Sequence, residues 1–344
     1  KQGNFGNLLT GDPASASRYI EARLTPLAKE TLFNTELTEY ADSYDGRNKE
    51  PVVLPCKLPL SLLFGAEGIA VGMSTRILPH NINEIIDAQI AFLQNKSFKL
   101  RPDFLSGGLL DASEYEDGNG KVRVRAKIEI TEDKLLTVRE LPFGVTTESL
   151  IQSIQDAVNK GKFKLSSIDN FTAETVEIEL KATRGMDAEK LLKLLYAFTQ
   201  CEVSISVNML LIQDNQPVQL NTSEVLKRNT LRLKDLLKQE LTLSLQQTKQ
   251  KWHQRRMEMY FIGEKLYKKL ETCDSYEEAL QVVRKAVLHI ESILPFPIEL
   301  EDIEKLLTLQ IKRITRYDQK ESQTELDKLK VKISSINKSL KNIT

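Results

Sequence analysis

Residues 3–24 read Gly3-Asn4-Phe5-Gly6-Asn7-Leu8-Leu9-Thr10-Gly11-Asp12-Pro13-Ala14-Ser15-Ala16-Ser17-Arg18-Tyr19-Ile20-Glu21-Ala22-Arg23-Leu24. Two glycine turns lead into a run of small residues and then an Arg-Tyr pair. Asp12 is an N-cap residue type and Pro13 suits a first helical turn, so the pattern predicts a helix over 14–24. Ile20, Leu24, Leu27 and Ala28 follow at helical steps and predict a buried stripe. Arg18-Tyr19 is the strongest chemical pair in the chain. A tyrosine can attack phosphorus, but its phenol ionises near pH ~10 and needs a base or a positive field. An adjacent arginine supplies charge where negative charge develops on the phosphate oxygens.

Outward from this segment, residues 36–222 read as mixed α/β. Lys121 to Ile130 alternates apolar and charged residues after the Asp117-Gly118-Asn119-Gly120 turn. That predicts one strand with a basic face of Lys121, Arg123, Arg125 and Lys127. Leu135–Val138 and Val176–Leu180 predict further strands, and helices are expected over Leu150–Val158 and Asp187–Phe198. Phe64 to Gly72 is an apolar segment bracketed by glycines, and from the residues alone Ile69 reads as a buried strand position.

From Ser223 onward the pattern is helical. Leu326, Leu329, Ile333, Ile336, Leu340 and Ile343 step by alternating threes and fours, the seam of a coiled coil. Leu226, Leu233, Leu237, Leu241, Leu245 and Trp252 mark an earlier long helix. Two such helices around a central helical lump predict an out-and-back arm with a knob at its tip, built around Trp252, Met257, Met259 and Phe261. Residues 225–256 carry nine Lys/Arg against two Asp/Glu. The fold class is therefore α+β.

Composition bounds the function. Lys+Arg and Asp+Glu are 48 each in 344 residues, so bulk charge argues for no nucleic acid and only local patches can. Cys56, Cys201 and Cys273 are too few and too far apart for a disulfide framework or a Cys-x-x-Cys zinc site, which suits a reducing cytoplasm. His80, His253 and His289 have no metal-ligand spacing and read as packing or surface residues. No P-loop, Gly-x-Ser-x-Gly elbow or dinucleotide fingerprint occurs, so ATP binding within this chain is not expected. No apolar run approaches the ~20 residues of a membrane span. Starting at Lys1 and stopping inside a helical repeat, the chain reads as part of a longer polypeptide.

The ordered set Gly3-Asn4-Phe5-Gly6, Gly11-Asp12 and Arg18-Tyr19 to Leu24 resembles the active-site segment of the A subunit of bacterial type IIA topoisomerases, the family of DNA gyrase and topoisomerase IV. Tyr44-Asp45-Gly46, Pro51 to Pro59, Gly68 to Met73, Pro79-His80-Asn81, Glu140-Leu141-Pro142 and Val207-Asn208-Met209 continue the resemblance to about Arg228. The run Pro13 to Ser17 is more serine-rich than the family's usual alanine-rich form.

The resemblance implies a set of roles. Tyr19 matches the nucleophile that becomes linked to a DNA 5′ end, and Arg18 the arginine that stabilises the transition state. Ile69 matches the residue that wedges between base pairs, with Gly65 and Gly68 letting the backbone approach DNA. The basic strand would track phosphates. The expected order is a partial winged-helix domain over 1–35, a tower domain over 36–222 and a coiled-coil arm over 223–344, with an exit-gate tip at about 255–318. The family's winged-helix recognition helices and β-pinwheel domain have no counterpart here. Expected partners are double-stranded DNA, a second copy of this chain as a homodimer, and a B subunit holding Mg²⁺ and ATP in an A2B2 complex, in the bacterial cytoplasm at the nucleoid. No metal site is expected in this chain, and by itself it is expected to give no strand passage and little cleavage.

Two rivals make different predictions. A non-catalytic DNA-binding scaffold would keep the fold without covalent chemistry. A tyrosine recombinase would need a dispersed Arg/His set and would link to the 3′ end.

Overall fold

The computed structural model describes residues 1–213, 215–309 and 319–343. The chain forms two compact units, Lys1–Leu233 and Lys234–Thr344. Residues 310–318 of the expected tip lie outside the described residues.

In the first unit a four-stranded antiparallel sheet has the order β7 (Lys127–Glu132), β8 (Leu135–Glu140), β10 (Ile178–Ala182), β9 (Leu165–Asn170). Helices α4 (Thr147–Asn159) and α5 (Ala188–Phe198) pack against it. Leu150, Ile154 and Ala157 on α4, and Ala188, Leu191 and Leu195 on α5, form the buried stripes. Asp187 caps α5 by accepting from the Lys190 N–H, and Thr146 and Ser149 form a reciprocal capping box on α4.

The predicted strand over 121–130 is two strands in two sheets. β6 (Lys121–Arg125) lies between β11 (Glu202–Ser206) and β5 (Leu109–Asp111), whereas β7 belongs to the four-stranded sheet. The break falls at the fully buried Ala126. Its N–H donates to the Cys201 carbonyl and its carbonyl accepts from the Tyr196 hydroxyl. Alternation persists through such a crossing, so periodicity alone does not reveal it.

A third core joins α2 (Leu60–Phe64), α3 (Ile82–Leu93) and the start of α6 (Thr222–Gly263). Beside it runs a buried polar chain. The Leu62 carbonyl can only accept, so His80 Nδ1 donates to it at 3.1 Å, and Nε2 then accepts from the Tyr115 hydroxyl at 3.1 Å. Tyr115 Oη in turn accepts from Thr222 Oγ1 at 2.8 Å. Burial pushes the Tyr115 phenol up to about 12 and lowers the basicity of His80.

The second unit contains the rest of α6, then α7 (Tyr276–Val287), α8 (Leu300–Leu307) and α9 (Gln319–Ile343). Met257, Phe261, Val283, Val287, Ile303 and Leu306 form its core. On α9 the predicted seam is the sheltered face, with Leu326 and Ile336 buried and the other four half-buried. Arg255 on α6 pairs with Glu325 on α9 at 3.3 Å, and the Lys330 ammonium sits 5.5 Å over the Trp252 ring. His80 and His253 are buried packing residues and His289 is exposed.

Candidate active site

The helix expected over 14–24 does not form. Residues Ser17–Tyr19 make a single 3-10 turn, and the chain is extended again at Ile20. The physical reason is where the backbone groups find partners. Ser15 N–H donates to the Asn4 carbonyl, Asn7 N–H to the Asp12 carbonyl, and Gln2 and Glu21 exchange a pair of bonds at 2.9 Å each. Pairing across the loop replaces pairing along a helix. Asp12 caps nothing; it accepts from the Thr10 hydroxyl at 2.6 Å. Leu24 and Leu27, expected on a buried stripe, are exposed.

This loop fixes Tyr19. Gly3 has φ +95°, and a Cβ there would lie 2.6 Å from the Tyr19 carbonyl oxygen. Gly6 has φ +78° and approaches the Asp12 carbonyl equally closely, while Asn4 Oδ1 accepts from its N–H at 2.8 Å. The loop is fastened to the start of α4. Thr147 N–H donates to the Leu9 carbonyl at 2.8 Å, and Gly11 rests on the Thr146 side chain. Nothing in sequence spacing couples residues 9–11 to 146–147; the one local signal is a glycine held at φ +92°.

The Tyr19 side chain is 67% exposed. The Arg18 guanidinium carbon stands 4.7 Å from its ring centroid, and among the described residues Arg18 forms no ion pair. A free cation therefore lies against an accessible phenol.

Ile69 lies on a second exposed feature, the hairpin of β3 (Ala66–Ala70) and β4 (Met73–Ile77), closed by Val71-Gly72. It is 89% exposed and Val71 is 99% exposed, which overturns the buried-strand reading. Gly65 serves an internal contact, because a Cβ there would meet the Ile77 carbonyl at 2.6 Å. A Cβ on Gly68 would touch only Thr75, at 3.8 Å.

The basic strand residues are all exposed, but each has a carboxylate partner. Lys121 pairs with Glu114 at 2.8 Å, Arg123 with Asp111 at 3.0 Å, and Lys127 with Glu140 at 3.2 Å. Arg125 pairs with Glu202 and lies over the Tyr196 ring. The Glu140 carboxyl is held below the usual carboxylate range, first by the Gly108 N–H and then by Lys127. Among the described residues no group of three or more His, Cys, Asp or Glu could hold a metal ion.

An exposed tyrosine, a free arginine against it and a glycine-built loop beneath are the features that the sequence motifs point to. The family model for the A subunit of DNA gyrase/topoisomerase IV matches residues 1–344, and the chain belongs to that family. The DNA topoisomerase 4 A subunit of Borreliella burgdorferi is 47% identical over 343 residues, covering 100% of this chain and 55% of that protein. The DNA gyrase A subunit of Leptospira biflexa is 30% identical over 360 residues, covering 97% of this chain and 41% of that protein. The corresponding figures for the DNA gyrase A subunit of Mycobacterium tuberculosis H37Rv are 31% over 366 residues, 97% and 42%. The chain spans about half the length of the curated relatives it matches. No described helix is long and apolar enough to cross a membrane.

Proposed function

We propose that this chain is the breakage-reunion part of a type IIA topoisomerase A subunit, with Tyr19 as its nucleophile. Tyr19 Oη attacks a backbone phosphorus in line. The new bond is Oη–P, the bond broken is P–O3′, the phenolic proton leaves Tyr19, and the released 3′ oxygen takes up a proton. The DNA 5′ end stays on Tyr19 as a phosphotyrosine. Because one phosphoester replaces another, religation needs no outside energy. Arg18 places positive charge where the phosphate oxygens gain negative charge. The observation that carries this reading is the exposed Tyr19 ring with the unpaired Arg18 guanidinium against it.

Around this centre the reading assigns the remaining parts. Ile69 enters a base step from the β3–β4 hairpin, unstacking it at a cost of a few kcal/mol that wrapping contacts offset. The paired α6 and α9 helices form a coiled-coil arm with the helical lump as the exit gate. Two copies of the chain related by a dyad place two tyrosines on opposite strands. Mg²⁺ and ATP belong to the B subunit of an A2B2 complex in the bacterial cytoplasm, and ATP drives gate motions. The β6 cations assist DNA only weakly, since each must leave a carboxylate before it meets a phosphate.

The test is covalent adduct formation by the full-length protein with its B subunit. Tyr19→Phe abolishes adduct under this reading. Persistent adduct in that variant removes Tyr19 as nucleophile, and no adduct from the wild type favours the scaffold alternative.

A further inference from the structure

The β3–β4 hairpin is poorly anchored by burial. All of β3 is exposed, and on β4 only Ile77, at the base, is buried. An isolated two-stranded hairpin is marginal in water. A side chain that unstacks a base step meets a restoring force, and an unsupported hairpin would yield before the DNA did. Support for Ile69 must therefore come from polar contacts behind it.

Those contacts converge on Asn208. Its N–H donates to the Arg76 carbonyl at 3.1 Å, and its carbonyl accepts from the Arg76 N–H at 2.8 Å and the Thr75 hydroxyl at 3.2 Å. Its side-chain Nδ2–H donates to the Ser74 carbonyl at 2.7 Å. Ser74 is the residue directly opposite Ile69 in the hairpin register. Asn208 Oδ1 accepts from Gln219 Nε2 at 3.3 Å, and the same amide donates to Asn119 Oδ1 at 3.2 Å. The residues on either side fix the backbone. Val207 is buried in the core beneath β6, and Met209 is fully buried in the core of α2, α3 and α6.

We infer that Asn208 is the positioning residue of the wedge, a backstop that transmits the load on Ile69 into two hydrophobic cores. This rests on the wedge reading of Ile69 and extends it. Asn208 touches no DNA; it acts through Ser74 and the hairpin.

The test uses the full-length protein with its B subunit and a short duplex carrying a fluorophore at each end, so that energy transfer reports the bend. Ile69→Ala lowers the bent-to-straight ratio about tenfold, the scale of one lost apolar insertion. Asn208→Ala lowers it about fivefold, the worth of one net hydrogen bond, with affinity for nicked, already flexible DNA unchanged. Asn208→Asp has the same size and still accepts from Gln219 but cannot donate to Ser74, so it shows the same loss. The double variant Ile69→Ala/Asn208→Ala bends no worse than Ile69→Ala, because both changes act through one wedge.

Normal bending by Ile69→Ala would remove the wedge reading itself. Reduced bending by Ile69→Ala with normal bending by both Asn208 variants would leave the wedge and overturn the backstop. Additive losses in the double variant would also overturn it. A melting-point fall above about 4 °C in both Asn208 variants would make Asn208 a folding residue instead.

Discussion

The Arg18 guanidinium carbon lies 4.7 Å from the centroid of the Tyr19 ring, and no carboxylate among the described residues competes for it. Both arginines of the β6 strand, Arg123 and Arg125, are already committed to carboxylates. The charge beside the phenol is uncommitted, and the proposed role of Tyr19 as nucleophile rests on that difference.

Removing that charge should slow chemistry without unfolding the protein. Arg18→Ala lowers the single-turnover cleavage rate by about 10²-fold or more, the usual loss for one donor to a developing oxyanion. Arg18→Lys restores only part of it, because a point charge does not replace a planar fork. Thermal melting of both variants matches wild type, since Arg18 is exposed and stacks on the exposed Tyr19 ring.

Gly3 is the second lever. A methyl group there collides with the Tyr19 carbonyl, 2.6 Å away, at a φ of +95°. Gly3→Ala should reduce cleavage about tenfold by moving Tyr19, with the backbone strain adding roughly 1–2 kcal/mol of instability. Gly46→Ala is the control. Gly46 also has positive φ, +67°, but nothing within 4 Å, so that variant is strained and keeps cleavage.

How much of the fold is legible from residue order varies with distance along the chain. The α9 seam and the helices expected over Leu150–Val158 and Asp187–Phe198 follow from local periodicity, and they appear as the sheltered face of α9 and as α4 and α5. The Arg18-Tyr19 pair stands out as a motif, but the helix predicted around it is absent. Small residues and a Pro start favour a helix locally, and the pairing of Gln2 with Glu21 overrides them. The split at Ala126 and the Leu9–Thr147 bond are contacts between distant segments, which leave no mark on a short window. Ile69 misleads residue-level reading because an apolar strand is normally buried, and only the resemblance points outward.

The β6 cations give a salt-dependence prediction. A cation that tracks a phosphate contributes about 0.9 to the slope of log K against log salt. Because Arg123 and Arg125 are already paired, the Arg123→Gln/Arg125→Gln variant should change that slope by less than about one. A change near two in filter-binding or anisotropy titrations would restore the phosphate-tracking role.

His80 sets an acid limit on stability. Burial lowers its folded-state pKa below the ordinary His value, with Leu62 and Leu78 carbonyl bonds and the charges of Asp117 and Asp103 opposing the shift only in part. The unfolded chain therefore binds the proton more readily. The stabilisation is present above the unfolded His pKa of about 6.5 and is lost as pH falls from there through the folded value. Urea unfolding at about pH 7.5 and pH 5.5 should show the wild type losing more stability than His80→Gln over that interval.

The proposed chemistry stands or falls on the Tyr19 oxygen becoming bonded to DNA phosphorus. Full-length protein with its B subunit, trapped by denaturant during cleavage, should yield after nuclease and protease digestion a peptide containing Tyr19 with a nucleotide attached through its 5′ phosphate. A nucleotide on any other residue, or one attached through its 3′ phosphate, would show that the nucleophile is not Tyr19 or that the polarity of the link is reversed.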